Sequence, residues 1–438
     1  MDDPQVLERM RADWNQRAEE DANYYVAFGR RQQDEEEFFA TGADVMRGLE
    51  LEMKRCAGRA AALEIGCGPG RLMRPMSRHF REVHGVDVSD EMIRLARERL
   101  RDTPNAFPAV GTGSDLGMFG DGTFDFVYSY AVFQHIPSRD VVFHYLREAW
   151  RVLKPGGVLR CQLNGLPPHA RQYDTWSGVR ITPDEIRGFA RDHQFQLLAL
   201  EQIWTQYMWV TCRKVGQPVR LPSSAGDAAS PAAESPAPPA RIHNISNALT
   251  GEAAAPNAGG LAAICVWVQF LPAACDINNT AITADGRPCR LIYIGPPAED
   301  GVVQTTAALP EGIRTGLVPI EVFLDGRPVC LPAWVRVIPA GPLVPRLTAV
   351  SDGVNLLSGN RIVTGLVKVT MEEVADAAAF HATVDSLDAL DIDSFCTDPV
   401  MQRWEFNFRV PPLITPGPHQ VTILLRHRTV ATVPIEVA

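Results

Sequence analysis

The sequence predicts an α/β domain with a mostly parallel sheet, followed by one or two all-β sandwiches. Residues 1–214 alternate apolar strand-like runs with amphipathic helical segments. Such alternation is typical of a parallel sheet covered by helices on both faces. Residues 241–438 consist of short Val, Ile, Leu and Phe runs separated by Pro and Gly, which indicates an all-β region. With 438 residues, the chain is long enough for about two to four domains.

The first half of the α/β region opens with a helix and continues with two strand–helix units. Apolar residues at Val6, Met10 and Trp14 are spaced by four, which predicts an amphipathic helix. The run AALEIG is a buried strand followed by a helix, and EVHGVDV is the next strand. Ser89 is placed to cap the helix SDEMIRLARERL, with Glu91 in its first turn.

The second half adds two more strands, two helices and a closing strand pair. FDFVYSYAVF and GGVLRCQLNG are strand-like and enclose the helix SRDVVFHYLREAWRVL. A further helix begins with Thr182 as its cap and Pro183 at its first position. The runs FQLLALEQIW and YMWVTCRK predict an antiparallel pair that ends the domain.

Residues 215–240 are rich in Pro, Ala and Ser and are predicted to be a linker, since they hold too little apolar surface to form a core. Beyond them, Asp285-Gly286 and Asp325-Gly326 stand between apolar runs and predict β-hairpins. The remaining length divides into 241–342 and 343–438, each of immunoglobulin-like size. VPIEV occurs in both parts, at 318–322 and at 433–437.

Composition narrows the function classes. The formal net charge of −10 argues against nucleic acid as the main partner. No run of 18 apolar residues and no signal peptide is found, so no membrane span is expected. The nine cysteines form no CxxC pair, so we expect no metal site and a reduced, cytoplasmic protein.

The chemistry-bearing motif is ALEIGCGPGRL, residues 62–72. A buried strand leads into Gly66, Gly68 and Gly70, and a helix follows. Glycines at such a turn allow a ligand to approach the backbone closely. Asp87 ends the next strand, 21 residues past Gly66, where a carboxylate can accept hydrogen bonds from ribose hydroxyls. The motif therefore predicts a nucleotide-like ligand.

The ligand is further narrowed by Glu64 and by the glycine spacing. A dinucleotide site spaces its glycines as GxGxxG, whereas this loop is GxGxG. A carboxylate beside the loop would repel a pyrophosphate and attract a cation. S-adenosylmethionine carries both an ammonium and a sulfonium, so it fits this electrostatic pattern.

Four blocks in order carry a resemblance to a known family. E-x-G-C-G-P-G, VDVSDEMI, DGTFDFVYSYAVFQHI and LKPGG make residues ~50–214 resemble a class I S-adenosylmethionine-dependent methyltransferase. The resemblance implies a Rossmann-like, seven-stranded methyltransferase sheet, S-adenosyl-L-methionine as cofactor and methyl transfer as the activity.

The resemblance also implies a set of cofactor-binding residues. Around the methionyl part would stand Glu64, Gly66, Cys67 and Gly68, with Tyr130 and Gln134 near the sulfonium. Asp87 would bind the ribose, and Val88 and Met92 would lie beside the adenine. Where the family often has Gly-Asp-Ala, this chain has Gly111, Thr112 and Gly113, so Gly113, Ser114 or Asp115 would replace the acid at the adenine edge.

His135 is the candidate catalytic base, because its imidazole titrates near ~6.5 and it follows the fourth strand. A base is needed for a hydroxyl acceptor but not for a carboxylate or a neutral amine, and His135 could instead cap the neighbouring helix or orient the loop. Trp14, Tyr24 and Tyr25 could cover the substrate or only pack against the sheet.

Three functions remain open at this point. The first is methyl transfer to a small molecule or glycan, with the β domains assisting recognition, a protein partner or self-association. The second is a non-catalytic S-adenosylmethionine-binding scaffold, to which the Thr112 departure lends support. The third is a nicotinamide-dependent oxidoreductase, which shares the sheet architecture but not the glycine spacing.

Overall fold

The structure is a computed structural model, and it describes residues 4–27, 31–168, 173–215, 239–341, 344–355, 358–374, 376–398 and 402–438. Most of the predicted linker lies outside the described residues. None of the described helices is long and apolar enough to cross a membrane.

In the part of the N-terminal region that the structure describes, there are seven α-helices and seven strands. The helices are α1 Pro4–Ala27, α2 Glu35–Ala40, α3 Gly42–Met53, α4 Met73–Met76, α5 Asp90–Arg99, α6 Arg139–Val152 and α7 Pro183–Asp192. The strands are β1 Ala61–Ile65, β2 Glu82–Asp87, β3 Ala106–Val110, β4 Phe124–Ser129, β5 Leu153–Leu163, β6 Phe195–Glu201 and β7 Met208–Lys214.

These seven strands lie in one sheet in the order β3-β2-β1-β4-β5-β7-β6. The first five strands of this order pair in parallel. Strand β7 is antiparallel to both of its neighbours, as predicted for the closing pair. Strands β1 and β4 are buried along their whole length because helices cover both faces of the sheet. The carboxyl ends of β1, β2 and β4 therefore meet at one edge of the sheet centre, where ligands bind in open α/β sheets.

Local capping signals are confirmed. The Ser89 side chain accepts the Met92 N–H at the start of α5. Thr182 and Glu185 form a reciprocal capping box at the start of α7, with Pro183 in its first turn. The helix predicted after the glycine loop is shorter than its pattern indicates: only Met73–Met76 is α-helical, and the residues before it form turns.

The C-terminal region is entirely strand-based apart from short 3₁₀ turns in its described part. Its first unit contains β8 Arg241–Asn247, β9 Ala254–Pro256, β10 Ala263–Gln269, β11 Thr280–Ala284, β12 Arg287–Pro288, β13 Arg290–Pro297, β14 Val302–Ala308, β15 Gly316–Leu324, β16 Arg327–Pro328 and β17 Ala333–Ile338. Its second unit contains β18 Arg346–Asp352, β19 Arg361–Ile362, β20 Leu366–Glu372, β21 Phe380–Val384, β22 Leu387–Asp388, β23 Leu390–Asp398, β24 Arg403–Arg409, β25 Gly417–Leu425 and β26 Arg428–Val437.

Two sheets pack face to face in the second unit. One has the order β18-β20-β24-β23, and the other β19-β26-β25-β21-β22. Alternate residues of β20 and β24, such as Val369 and Phe406, share one buried cluster with Val384 and Ile423 from the opposite sheet. Both predicted Asp-Gly hairpins are confirmed in the first unit, where Asp285 and Asp325 have positive φ as tight hairpin turns require.

The predicted closing pair implies that the N-terminal sheet ends at β6, but in the structure the sheet continues beyond this strand. It continues as β6-β13-β14-β10-β8 and reaches eleven strands. Tyr293 of β13 pairs with Ala199 of β6, and the Ile277 N–H donates to the Leu197 carbonyl at 2.8 Å. The Gln196 side chain donates to the carbonyls of Ala273 and Cys275. The first β unit thus covers an edge strand that would otherwise expose unpaired backbone groups.

A buried ion pair lies at this junction. The Glu52 and Arg55 side chains at the end of α3 are 2% and 4% exposed and are 2.6 Å apart. Arg55 also donates to the Ile294 carbonyl at 2.6 Å, and the Tyr293 hydroxyl lies 3.3 Å from the Glu52 carboxylate. The first β unit is therefore joined to the α/β region by charged groups that are shielded from water.

Replacement of Glu52 by alanine is expected to destabilise the protein by about 3–5 kcal/mol, because it leaves the buried Arg55 guanidinium without its carboxylate. Chemical denaturation monitored by circular dichroism measures the change. Glu50→Ala is the matched control: its side chain is 49% exposed beside His79, and we expect a loss of at most about 1 kcal/mol. Equal effects of the two substitutions would contradict the structural role of the Glu52 pair.

Candidate functional site

The glycine loop after β1 is shaped by its backbone conformation. Gly66 has φ +74°, and a Cβ atom there would lie 2.3 Å from a Val132 methyl group. No side chain is therefore tolerated at this position, and the loop backbone faces the space above the sheet edge. The Gly66 and Cys67 N–H groups both donate to the Val86 carbonyl, which fixes the loop to the end of β2.

Asp87 is the last residue of β2 and faces the same space. Its Oδ2 accepts the Gly68 N–H at 2.9 Å, and its Oδ1 accepts the Ser89 N–H at 2.9 Å. Burial raises the pKa of the Asp87 carboxyl, while these backbone donors oppose the rise. The carboxylate is thus held between the glycine loop and the start of α5, as expected for a group that accepts hydrogen bonds from a ligand.

A pocket opens between the glycine loop, the end of β2 and the residues that follow β4. Its lining is mostly apolar, with the carboxylate of Asp87 and the imidazole of His135 as polar groups. The lining residues are Met10, Trp14, Tyr25, Val26, Ile65, Gly66, Gly68, Val86, Asp87, Val88, Met92, Gly113, Tyr130, Ala131, Val132, His135, Ile136 and Tyr145.

Helix α1 covers this pocket. Its Arg11 side chain donates to the carbonyls of Val88 and Gly111, and the Asn15 side chain accepts from the Ser89 hydroxyl at 2.6 Å. The helix breaks at Asp21, whose carboxylate accepts the Tyr24 N–H at 3.0 Å. The segment after the break places Tyr25 and Val26 in the pocket wall. Trp14 and Tyr25 therefore cover the pocket rather than only packing on the sheet.

The loop after β3 departs from the usual family pattern, and the structure gives a local reason for Thr112. Its hydroxyl accepts the N–H groups of Ser114 and Asp115 and donates to the Asp115 carboxylate at 2.9 Å. The next residue, Gly113, has φ +93°, and a Cβ there would lie 2.8 Å from a Val88 methyl group. Thr112 thus shapes the loop, and Gly113 gives the pocket a backbone wall.

Glu64 lies deep in the sheet, 3% exposed, and outside the residues that line the pocket. Its register partner on β4 is Tyr128, whose hydroxyl donates to the Glu64 carboxylate at 2.9 Å. Burial raises the pKa of Glu64 to about 8, although Tyr128 and the Arg71 guanidinium oppose the rise. The side chain is therefore largely protonated at neutral pH when no cationic ligand is nearby.

His135 lies in a 3₁₀ turn after β4 and is 6% exposed. Its Nδ1 is 3.0 Å from the Trp176 carbonyl oxygen. Because a carbonyl only accepts, Nδ1 must carry the proton, and Nε2 keeps its lone pair. Burial, with a smaller effect of the nearby Arg17 guanidinium, lowers the pKa of His135 to about 4, although the hydrogen bond to the Trp176 carbonyl opposes the shift. The imidazole is therefore neutral at physiological pH.

The site predicted from sequence is assembled in large part. The predicted residues that line the pocket are Gly66, Gly68, Asp87, Val88, Met92, Gly113, Tyr130 and His135. Three other predicted residues, Glu64, Cys67 and Ser114, do not line the pocket in the described part of the chain. Gln134 lines a second, larger cleft, which shares His135 and Tyr25 with the pocket. Pocket lining does not test a role, so the cofactor and catalytic roles of all the predicted site residues remain predictions.

The sequence interpretation missed several residues that shape the site. Arg11 and Asn15 fix α1 to the loops at the pocket, and Arg17 stacks on Trp14 with its guanidinium carbon 4.6 Å from the ring centre. The spacing of Met10 and Trp14 signalled the buried face of α1, but no local pattern marks which polar side chains on that helix reach the loops.

Comparison with known proteins places the site in a family context. Residues 63–161 match the family model described as a methyltransferase domain. The chain is 33% identical over 105 residues to phosphoethanolamine N-methyltransferase 2 of Caenorhabditis elegans, covering 24% of this chain and 23% of that protein. It is 32% identical over 161 residues to trans-aconitate 2-methyltransferase of Rhodopseudomonas palustris, covering 35% and 50%.

Among solved structures, the chain matches phosphoethanolamine N-methyltransferase 1 of Haemonchus contortus in complex with phosphoethanolamine and S-adenosylhomocysteine, with 15% identity, a TM-score of 0.40 and coverage of 51% of this chain and 52% of that chain. The chain spans half or less of the length of the two curated relatives. The matched region contains the glycine loop, Asp87 and His135. Residues 63–161 of this chain are thus similar to a methyltransferase domain, which supports S-adenosylmethionine as the ligand of this region.

Proposed function

We propose that the protein transfers the methyl group of S-adenosylmethionine to a hydroxyl of a small molecule or glycan. The observation that carries the proposal is the position of His135, which lines both the pocket at the glycine loop and the adjoining cleft. A neutral imidazole at the junction of a cofactor pocket and a second cleft is suited to remove a proton from an acceptor that enters through the cleft.

The residues present fit the cofactor. The positions of Gly66 and Gly113 admit no side chain, so an adenosyl ligand would lie directly against backbone. Asp87 would accept from the ribose hydroxyls, and Val88 and Met92 would contact the adenine. Bound S-adenosylmethionine supplies an activated methyl group, so the chain's own task is to align the acceptor with it and to exclude water.

His135 would act as the base. Nε2 would accept the proton of the acceptor hydroxyl, and S-adenosylmethionine, when bound, would supply the methyl group that the oxygen takes up in place of that proton. The hydrogen bond from Nδ1 to the Trp176 carbonyl holds the ring in the required tautomer. Trp14, 5.4 Å from the His135 ring centre, packs against the imidazole and shields it from solvent.

The β units would assist acceptor recognition. We propose that they are immunoglobulin-like sandwiches over residues 241–342 and 343–438, on the strength of their paired sheets. All nine cysteines are free, which supports our placement of the protein in the reducing cytoplasm.

The direct test is turnover by the full-length protein. Incubation with S-adenosylmethionine and a panel of hydroxylated small molecules and glycans should release S-adenosylhomocysteine with at least one acceptor, at a rate above the acceptor-free background. Cofactor binding without release across the panel would favour the scaffold function instead.

Glu64 predicts a pH dependence of cofactor binding. A cation near Glu64 favours its charged form, so S-adenosylmethionine should bind with release of a proton near pH 7. Because the unliganded pKa is about 8, affinity should rise by up to about tenfold per pH unit below that value and become constant above it. The pKa of Glu64 also depends on Tyr128, Arg71 and Asp87, so these three residues are left unchanged in the test.

Titration calorimetry in two buffers of different ionisation enthalpy measures the number of protons released. Glu64→Gln should abolish the proton release and the pH dependence, since it keeps the size of the side chain but cannot ionise. A wild-type protein that releases no proton between pH 6.5 and 7.5 would contradict the proposed placement of the cation near Glu64.

A further inference from the structure

A large polar cleft adjoins the pocket at His135 and extends to the last β unit. Its volume is about 930 Å³, near the upper end for sites that enclose drug-sized ligands. A compact acceptor of a few atoms would leave most of this space to water. The size of the cleft therefore favours an acceptor that extends well beyond the methylated group.

The cleft has walls from three parts of the chain. The first wall is α1 and the segment after it, with Arg17, Tyr24, Tyr25 and Arg31. The second wall is made by the methyltransferase loops, with Gln134, His135, Asn164, Leu166, Trp176, Ser177, Arg180, Gln206 and Tyr207. The third wall is the last β unit, with Gly353, Val354, Leu366, Lys368, Asp393, Ser394, Phe395, Glu405 and Asn407. The Tyr24 hydroxyl donates to the Val354 carbonyl at 3.0 Å and so joins the first wall to the third.

The wall from the last β unit combines an aromatic face with planar hydrogen-bonding groups. Phe395 is half-buried on β23, and the Lys368 ammonium lies 5.9 Å from its ring centre. Lys368 is also paired with the Glu405 carboxylate at 2.8 Å. Asp393 projects from the same strand and is exposed. A sugar presents C–H faces, on which aromatic rings pack, and vicinal hydroxyls, which carboxylates and amides bind by hydrogen bonds. This wall therefore offers both kinds of group that a sugar chain requires.

Two side-chain oxygens in the cleft lining are left without donors. Gln134 Oε1, next to His135, and Asn407 Oδ1, on the β wall, are buried and have no hydrogen-bond partner among the described residues. Such groups are rare in folded proteins and call for a ligand or water that completes them. One lies near the proposed methylation point and the other on the distal wall, and both lie beneath the cleft surface, so they do not by themselves select a ligand.

Other extended ligands fit less well. A peptide that adds to the sheet needs a regular edge strand, but β23 is irregular against β24 at two places, between Leu390 and Asp393 and between Cys396 and Asp398. A hydrocarbon chain would desolvate the many charged groups without pairing them.

We infer that the last β unit is an acceptor-binding wall for an oligosaccharide, which it holds so that one hydroxyl reaches His135. The inference rests on the proposed function and deepens it by assigning the acceptor class and the residues Asp393, Phe395 and Asn407 to its recognition. Lys368 and Glu405 orient one another beside that ring. The methyltransferase loops then contact the sugar nearest the methyl group.

The test uses the labelled full-length protein with S-adenosylhomocysteine on an array of defined monosaccharides, oligosaccharides of four or more units, and control peptides. We expect binding to at least one oligosaccharide series and not to the corresponding monosaccharides. Phe395→Ala and, independently, Asp393→Ala should weaken that binding about tenfold. Trp334→Ala is the matched control, since this tryptophan is 60% exposed and lies outside both clefts.

Calorimetric titration with S-adenosylhomocysteine on each variant separates this inference from the proposed function. Three outcomes would overturn the inference and leave the cofactor site intact. They are normal cofactor binding with no oligosaccharide bound, oligosaccharide binding that neither wall substitution affects, and binding of peptides in place of glycans. If the wild-type protein does not bind S-adenosylhomocysteine, the proposed function itself is refuted. Asp393 is exposed, so its variant remains informative if Phe395→Ala fails to fold.

Discussion

Replacing Asp87 by alanine is expected to weaken S-adenosylmethionine binding by about 100-fold. The carboxylate accepts the Gly68 and Ser89 N–H groups and would accept the ribose hydroxyls. Hydrogen bonds to a charged group contribute about 1.5–3 kcal/mol each, so loss of the ribose bonds and of the loop anchor corresponds to about 3 kcal/mol. Titration calorimetry on the full chain measures the change in Kd.

The control for this substitution is Asp102→Ala. Its side chain is 90% exposed beyond the end of α5 and contacts only Arg101 among the described ion pairs. We expect its Kd to match the wild type. If Asp87→Ala binds the cofactor within threefold of the wild type, the carboxylate is an ordinary loop anchor and the assignment of the ribose site is wrong.

Replacing His135 by alanine is expected to lower kcat by about 10²–10⁴-fold with a hydroxyl acceptor, the range for loss of a general base. The Kd for S-adenosylhomocysteine should stay within about threefold, because the imidazole faces the acceptor side of the pocket. Since the pKa of His135 is lowered to about 4, kcat should show no ionisation of this group between pH 5.5 and 8. A profile that rises with a midpoint near 6.5 would contradict the buried environment.

His381→Ala serves as the histidine control, because this side chain is 43% exposed on the last β unit and bonds Asp388. Unchanged kcat in His135→Ala, with only KM affected, would show that the imidazole positions the acceptor and removes no proton. Rescue of His135→Ala by added imidazole would support the role as base, because a free base restores proton transfer without restoring the side chain.

The parts of the fold that the sequence predicts are those set by neighbours in the chain. The Ser89 and Thr182 caps, the Asp285 and Asp325 hairpin turns and the glycine loop each depend on a few adjacent residues. Their residue types carry the conformation directly, since caps need a short polar side chain and these turns need positive φ. Helix α4 is short although its pattern indicates a longer helix, because the glycine loop and turns occupy the positions before Met73.

The parts that the sequence leaves open depend on contacts between distant residues. Glu64 was expected to carry a charge beside the ligand, yet the register of β1 against β4 brings it to Tyr128, 64 residues away. The continuation of the sheet through Tyr293 and the contact of Tyr24 with Val354, 330 residues apart, have no local signal at all. Such pairings follow from tertiary packing and not from periodicity or propensity.

The second cleft illustrates the same limit for function. Asn407 lies between the core residues Phe406 and Phe408 in β24, and Phe395 is half-buried in β23. Neither residue type marks a ligand site in a strand of a β sandwich. Only the placement of that sheet opposite α1 turns its other face into a wall near His135.

We propose that the pocket formed by Gly66, Asp87 and Gly113 holds S-adenosylmethionine with its methyl group directed toward His135. A crystal structure of the full-length protein with S-adenosylhomocysteine tests it most directly. We expect the ribose at Asp87, the adenine between Val88 and Met92, and the sulfur on the side of the pocket that adjoins the second cleft. Crystals grown with saturating ligand in which this pocket contains no adenosyl density, or in which the ligand lies elsewhere, would contradict it.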